Sequence, residues 1–147
     1  MKEMAAPVLT VKELARLLSA DSPKLFNPQS GLDIEEVWRG GCRIRKHFDP
    51  RSVRSGGTVS GPTMMALADF AMYVAVLGSI GWVPQAVTTN LNINFLKMPA
   101  PQDLVAEARL IKLGKRLAVG DIGIRSEGES ELVAHATCTY SIPRDGR

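Results

Sequence analysis

The sequence predicts an α+β domain in which an antiparallel sheet of about six strands wraps around one long central helix, preceded by a short N-terminal helix. Three observations predict it. The stretch from Ser60 to Leu77 reads as a helix that is apolar on nearly every side and carries a single charge, Asp69; a helix apolar all round belongs inside a core. Beyond Gln85 the chain alternates with period two, the pattern of half-buried antiparallel strands. Ala and Gly dominate several of the strand faces, which lets a sheet curl closely around a helix where bulky side chains would block it.

Each element follows in order. Val11 to Leu18 comes after Thr10, a good N-cap, with Glu13 three positions on, the capping-box pattern ahead of an apolar run. Asp21 to Gly31 mixes Ser, Pro, Asn and Gly as a loop does. Leu32 to Arg39 and Cys42 to Phe48 flank Gly40-Gly41 and read as a hairpin. Asp49 to Pro62, rich in Pro, Arg, Ser and Gly, is expected to be a loop leading into the central helix, and Gly78 to Gln85 a turn out of it. Four strands follow. The first alternates Val87, Thr89, Leu91, Ile93 and Phe95 against Thr88, Asn90, Asn92 and Asn94. The second aligns Leu104, Ala106, Ala108 and Leu110. The third sets Ala118, Gly120, Ile122 and Ile124 against Leu117, Val119, Asp121 and Arg125. The fourth gathers Leu132, Ala134, Ala136, Cys138, Tyr140 and Ile142, opposite His135, Thr137, Thr139 and Ser141.

At 147 residues, 45% apolar and 22% charged, the chain has the size and balance of one globular domain spanning 1–147. No window reaches the roughly 18 uninterrupted apolar residues of a membrane span. The first residues set Glu3 beside Lys2 and form no apolar signal core, so a cytoplasmic protein without membrane contact is expected. The net charge of +3 comes from scattered bases, with local groups only at Arg43, Arg45, Lys46 and at Lys112, Lys115, Arg116. That is too sparse for a nucleic-acid footprint and suits a phosphate-bearing small ligand better. Cys42 and Cys138 match no metal or redox spacing and read as reduced, partly buried thiols.

The chemistry concentrates at the central helix. Ser60-Gly61-Pro62 through Leu67-Ala68-Asp69, then Asn92-Ile93-Asn94-Phe95-Leu96, Gly114-Lys115-Arg116 and the closing Ala-Thr-Cys-Thr-Tyr ending at Tyr140 resemble the hotdog-fold thioesterase superfamily, and within it the PaaI-like acyl-CoA thioesterases of phenylacetic acid breakdown. The resemblance runs from about Glu36 to Tyr140. It implies a sheet wrapped around the central helix, a dimer or a tetramer of dimers, and hydrolysis of acyl-CoA, with CoA part of the substrate and no cofactor or metal.

The residues support the same chemistry. Gly61 stands at the helix start, with Pro62 at the first helical position, so amides there face outward with the positive end of the helix dipole and can polarise a carbonyl. Asp69, eight residues on, is a nucleophile or general base. The two lie about 12 Å apart along one helix axis, too far to meet one thioester from a single chain. Two protomers with antiparallel central helices would bring Gly61 of one to Asp69 of the other, twice per dimer. Because a thiolate of pKa near 8.5 leaves with little proton help, no histidine is required, and His47 and His135 are read as bystanders.

Ser60 and Tyr73 are candidate assistants of Asp69. Pro62, Thr63, Met65 and Asn94 are expected at the substrate, with Lys115 and Arg116 at a CoA phosphate and Lys112 beside them. Met64, Met65, Phe70, Trp82 and Leu96 are candidates for the acyl pocket. The chain also departs from its relatives: Ser60-Gly61-Pro62 replaces a His-Gly-Gly, Arg54 replaces an Asn or Gln six residues earlier, and Tyr73 replaces a Thr or Ser. Those changes keep a second reading open, a non-catalytic acyl-CoA binding or sensing module on the same fold. A hydratase of this fold would need an Asp and His pairing that the sequence lacks.

Overall fold

A computed structural model describes residues 4–54 and 57–144, apart from the side chains of Ser52 and Arg54, so the expected change at Arg54 lies outside what it describes. Helix α1 spans Val11–Asp21, and its capping box forms as expected: the Thr10 hydroxyl accepts from the Glu13 amide at 3.2 Å while the Glu13 carboxylate accepts from the Thr10 amide at 3.1 Å. Strands β1 (Leu32–Trp38) and β2 (Gly41–Lys46) make the hairpin, turning through Gly40 at a φ of 103°, which glycine adopts without strain.

The stretch expected to be a loop holds a 3-10 turn (Pro50–Ser52) and a two-residue ladder of β3 (Val53–Arg54) with β4 (Thr58–Val59). Helix α2 then runs Gly61–Ile80, with Ser60 as N-cap, Gly61 first and Pro62 second. Proline is thus one position further in than the sequence suggested, still within the turn whose amides lack helical partners. Strands β5 (Val87–Phe95), β6 (Leu104–Leu113), β7 (Leu117–Ser126) and β8 (Leu132–Ser141) complete the fold.

Six strands form one antiparallel sheet in the order β1-β2-β6-β7-β8-β5. It curls around α2, which is buried without a break from Phe70 to Ser79. By length and hydropathy α2 could cross a bilayer, yet 72% of its apolar window is enclosed by the rest of the molecule: it is the core helix of the fold. Each fully buried Leu, Val or Met on it contributes about 1.5–3 kcal/mol, which is why an otherwise unpatterned apolar helix is worth keeping inside. Leu14 and Leu18 of α1 close the core over the far end of α2, and Gly78 allows Val37 of β1 to come within 2.9 Å of where a Cβ would stand.

Two β-bulges shift the expected faces. In β5, Thr88 pairs with Tyr140 and Asn90 with Thr139, so Thr89 is an extra residue and Thr88 turns inward instead of outward. In β8, Ile124 pairs with Ala134 and Arg125 with Leu132; Val133 is the extra residue and fills the core, while Leu132 moves to the outer face beside Gly123. Simple alternation cannot register either shift, because one added residue inverts every position beyond it.

The small residues of the strands sit where the helix comes nearest. A Cβ on Gly120 would lie 2.8 Å from both the Arg109 carbonyl oxygen and the Met72 sulfur. Because one obstacle is backbone, Gly120→Ala is expected to cost about 1–3 kcal/mol, read as a lower midpoint of urea unfolding; an unchanged midpoint would show that sheet and helix can separate locally.

The β1–β2–β6 edge is tied by a charged cluster. His47 Nε2 lies 2.5 Å from Asp33, its Nδ1 lies 3.4 Å from Asp103, and Asp103 also accepts from the Phe48 amide and pairs with Arg45. Hydrogen bonding to Asp33 holds the His47 pKa above its usual value. A raised folded pKa stabilises fully below the unfolded value near 6.5 and is lost as pH rises through the folded one. The melting temperature should therefore fall from about pH 6 toward pH 8, and His47→Gln should flatten that slope.

Candidate active site

Enclosure of α2 fails along one strip of its first half. Pro62, Met65 and Ala66 are exposed, and Gly61, Thr63 and Asp69 are half-buried, in a helix otherwise covered. The spacing of three, four and seven residues puts Pro62, Met65, Ala66 and Asp69 on one side.

At the start of the strip the amides can be accounted for one by one. The Ser60 hydroxyl accepts from the Thr63 amide at 3.4 Å and bonds the Thr63 hydroxyl at 2.9 Å; the Met64 amide donates to the Ser60 carbonyl; Pro62 has no N–H. Among the described residues no acceptor meets the Gly61 N–H. It is the unused donor at the positive end of the helix. The Phe95 ring lies over this glycine, 3.3 Å from where a Cβ would be, so any side chain here would press on the ring.

Asp69 is satisfied by hydroxyls rather than by a cation. Thr88 donates to Oδ1 at 2.5 Å and Tyr140 donates to the same oxygen at 2.9 Å, its hydroxyl also lying 3.1 Å from the Asp69 main-chain carbonyl. Among the described residues no donor reaches Oδ2 and no buried side-chain polar atom lacks a partner, so Oδ2 opens outward. Burial above all raises the Tyr140 pKa, with the charge of Asp69 adding to it; the phenol therefore stays a donor. Cys138, on the same face of β8, is pushed up to about 12 by burial and then by Asp69, and Cys42 is raised by burial, its thiol donating to the Ala71 carbonyl at 3.1 Å. Neither thiol is a nucleophile at neutral pH.

The remaining expected residues fall in different places. Tyr73 is one turn beyond Asp69, but its hydroxyl donates to the Pro84 carbonyl at 3.1 Å and its ring stacks on Tyr140 with centroids 6.0 Å apart. Ser60 serves as the N-cap. Asn94 pairs with His135 on the outer face of the sheet, away from Asp69. Lys115 and Arg116 are exposed in the β6–β7 turn, next to the sheet row in which Ala118, Tyr140 and Thr88 are adjacent, so these bases stand at the Asp69 end of the sheet. The sequence does not single out Thr88 or Tyr140 as site residues. Alternation puts Tyr140 on the inner face, where its polar tip among apolar neighbours is the available signal; the bulge hides Thr88.

Alongside the first turns of α2 lies a cavity of about 220 Å³, lined by Thr63, Ala66, Leu67 and Phe70 of the helix and by Leu25 and Leu32 opposite, with Lys46 and Asp49 at its rim. A larger depression of about 480 Å³ on the outer sheet face is filled with its own ion pairs, Arg43 with Glu36 and Arg125 with Glu107, and holds none of the expected site residues. Among the described residues no group of three or more His, Cys, Asp or Glu could hold a metal ion.

A six-stranded antiparallel sheet closed around one long buried helix, preceded by a short helix, is the hotdog fold of thioesterases. The sequence profile of the thioesterase superfamily matches residues 56–140, and the chain belongs to that family. It is 34% identical over 95% of its length to a Saccharolobus solfataricus protein named "Putative esterase", covering 89% of that relative. Among solved structures it is similar to a "putative thioesterase" from Silicibacter sp., 40% identical with a TM-score of 0.83 and 96% of each chain covered. The PaaI protein of the E. coli phenylacetic acid degradation operon shares the fold at 21% identity and a TM-score of 0.76, over 88% of this chain and 90% of that one.

Proposed function

We propose that the protein hydrolyses acyl-CoA thioesters to free acid and CoA at a site shared by two protomers. The observation that carries this reading is the pairing of an unused Gly61 amide with an Asp69 oxygen left open, two groups suited to one acyl transfer but about 12 Å apart along their own helix. Strand β5 supports the sharing. It is an edge strand with Val87 55% and Phe95 50% exposed, followed by Leu96 at 58%, and exposed apolar edges of this kind invite pairing. Thr88, at one end, touches Asp69, and Phe95, at the other, covers Gly61. Antiparallel pairing of β5 with its copy, about a twofold axis near Leu91, therefore sets each Asp69 beside the partner's Gly61.

In this arrangement the Gly61 N–H binds the thioester carbonyl oxygen and stabilises the charge that develops there. Oδ2 of Asp69 either takes a proton from water as the water attacks, or attacks the carbon itself to give an acyl-aspartyl anhydride that water then hydrolyses to free acid and carboxylate; on either route the C–S bond breaks and CoA leaves as thiolate. Lys115 and Arg116 meet a CoA phosphate as mobile point charge and planar fork. The acyl group occupies the cavity beside Thr63 and Phe70. A dry cavity of about 150 Å³ accommodates benzene, so this one suits an acyl group built on a single ring, in keeping with the phenylacetic acid operon that gives the E. coli neighbour its description. Two free cysteines fit a reducing cytoplasm.

Asp69→Asn is expected to lower kcat on phenylacetyl-CoA by about 10²–10⁴-fold, with the dimer retained in sedimentation. Saturable binding of acyl-CoA with no turnover by the unaltered protein would favour the sensing module instead. Ala66→Phe, on the exposed side of the cavity, should reduce kcat/KM for phenylacetyl-CoA by about tenfold or more and leave acetyl-CoA within about twofold; equal losses on both would sink the assignment of the acyl cavity.

A further inference from the structure

We infer that Tyr140 is a positioning residue that fixes Asp69 so that only its Oδ2 is presented to the reacting atoms. The inference rests on Asp69 acting as base or nucleophile. One hydroxyl lies 2.9 Å from the Asp69 carboxylate and 3.1 Å from the main-chain carbonyl of the same residue. Its one proton, shared between these two acceptors in a three-centre bond, ties the side chain to its own backbone and restricts rotation about the Cα–Cβ bond. Thr88 holds the same oxygen, so Oδ1 is occupied by two donors and the carboxylate cannot exchange its oxygens without breaking both bonds.

The phenol is itself held. Tyr140 is 3% exposed, and its ring stacks on Tyr73, whose hydroxyl is fixed on the Pro84 carbonyl. A rigid chain of contacts thus leads from the turn after α2, through two aromatic rings on different elements, to Asp69. A side chain with two torsions, buried and stacked on a second ring, holds a proton donor in place at small entropic cost. Tyr73, which the sequence offered as a direct assistant of Asp69, acts in this arrangement as the support of Tyr140.

Positioning has a distinct kinetic signature. Misplacing a reacting group by about 1 Å can cost about a hundredfold in rate, while substrate binding, which involves other residues, is unaffected. Tyr140→Phe removes the hydroxyl and keeps the ring and its stack, and Asp69 retains Thr88, so the fold is preserved. The experiment measures kcat and KM on phenylacetyl-CoA for four proteins: unaltered, Tyr140→Phe, Asp69→Asn and the double variant. The expected result is a kcat lowered by about tenfold to a hundredfold in Tyr140→Phe, with KM within about twofold, and no further loss when the same change is made in Asp69→Asn, because Tyr140 works only through that carboxylate. If Asp69→Asn abolishes turnover while Tyr140→Phe keeps full kcat, the positioning role is overturned and the role of Asp69 stands. Equal losses from Tyr140→Phe in both backgrounds would mark a purely structural tyrosine. Retained activity in Asp69→Asn would overturn the reading of Asp69 itself, and the inference with it.

Discussion

The need to cover α2 on every side governs the rest of the structure. An apolar helix of 20 residues has no face to offer water, and a single flat sheet can cover only one side of it. The six strands respond by curling, and the curl is possible because Gly78 on the helix and Gly120 on the sheet remove side chains at the closest approaches, where an added Cβ would lie under 3 Å from Val37 and Met72 respectively. α1 covers what the sheet leaves at the far end. The one strip left uncovered, from Gly61 to Asp69, holds the single charge of the helix and the open amide at its start. The candidate site and the gap in the packing are the same feature.

The Asp69 carboxylate beside this core is held by two neutral hydroxyls, both on one oxygen, and the geometry leaves the second oxygen without a partner among the described residues. Neutral donors solvate a carboxylate without neutralising it. The same economy appears at the helix start, where capping satisfies the Thr63 amide, proline removes another, and the Gly61 amide is left over among the described residues. Both unused groups are consequences of local backbone chemistry rather than of a dedicated catalytic loop.

Edge strand β5 links these two ends. It lies at the border of the sheet, carries exposed apolar side chains, and touches Asp69 through Thr88 and Gly61 through Phe95. On the proposed reading, the surface that recruits a second copy and the residues that form the site belong to one strand, so association and catalysis are a single structural property. The outer sheet face, by contrast, is laced with internal ion pairs. Exposed pairs of this sort contribute little each, and they keep that face polar.

Most of the fold was legible because it rests on short-range signals: the capping box at Thr10, the glycine turn at Gly40, the apolar run of α2, and alternation in β6 and β7 all turned up where residue chemistry located them. Of the site, Gly61 and Asp69 could be singled out because a lone charge and a helix start are visible in one dimension. Thr88 could not, since a single bulge at Thr89 inverts the face assigned to it, nor could the partner of the Tyr73 hydroxyl, which depends on how the turn at Pro84 folds back. The sequence by itself determined which segments are apolar, where the helices begin, and that one acid stands in the core helix. Only the tertiary structure decided which hydroxyls reach that acid, which of its oxygens stays open, and which strand is left at the edge, because those depend on bulges, register and strand order, contacts between residues as far apart as Asp69 and Tyr140 that no local pattern encodes.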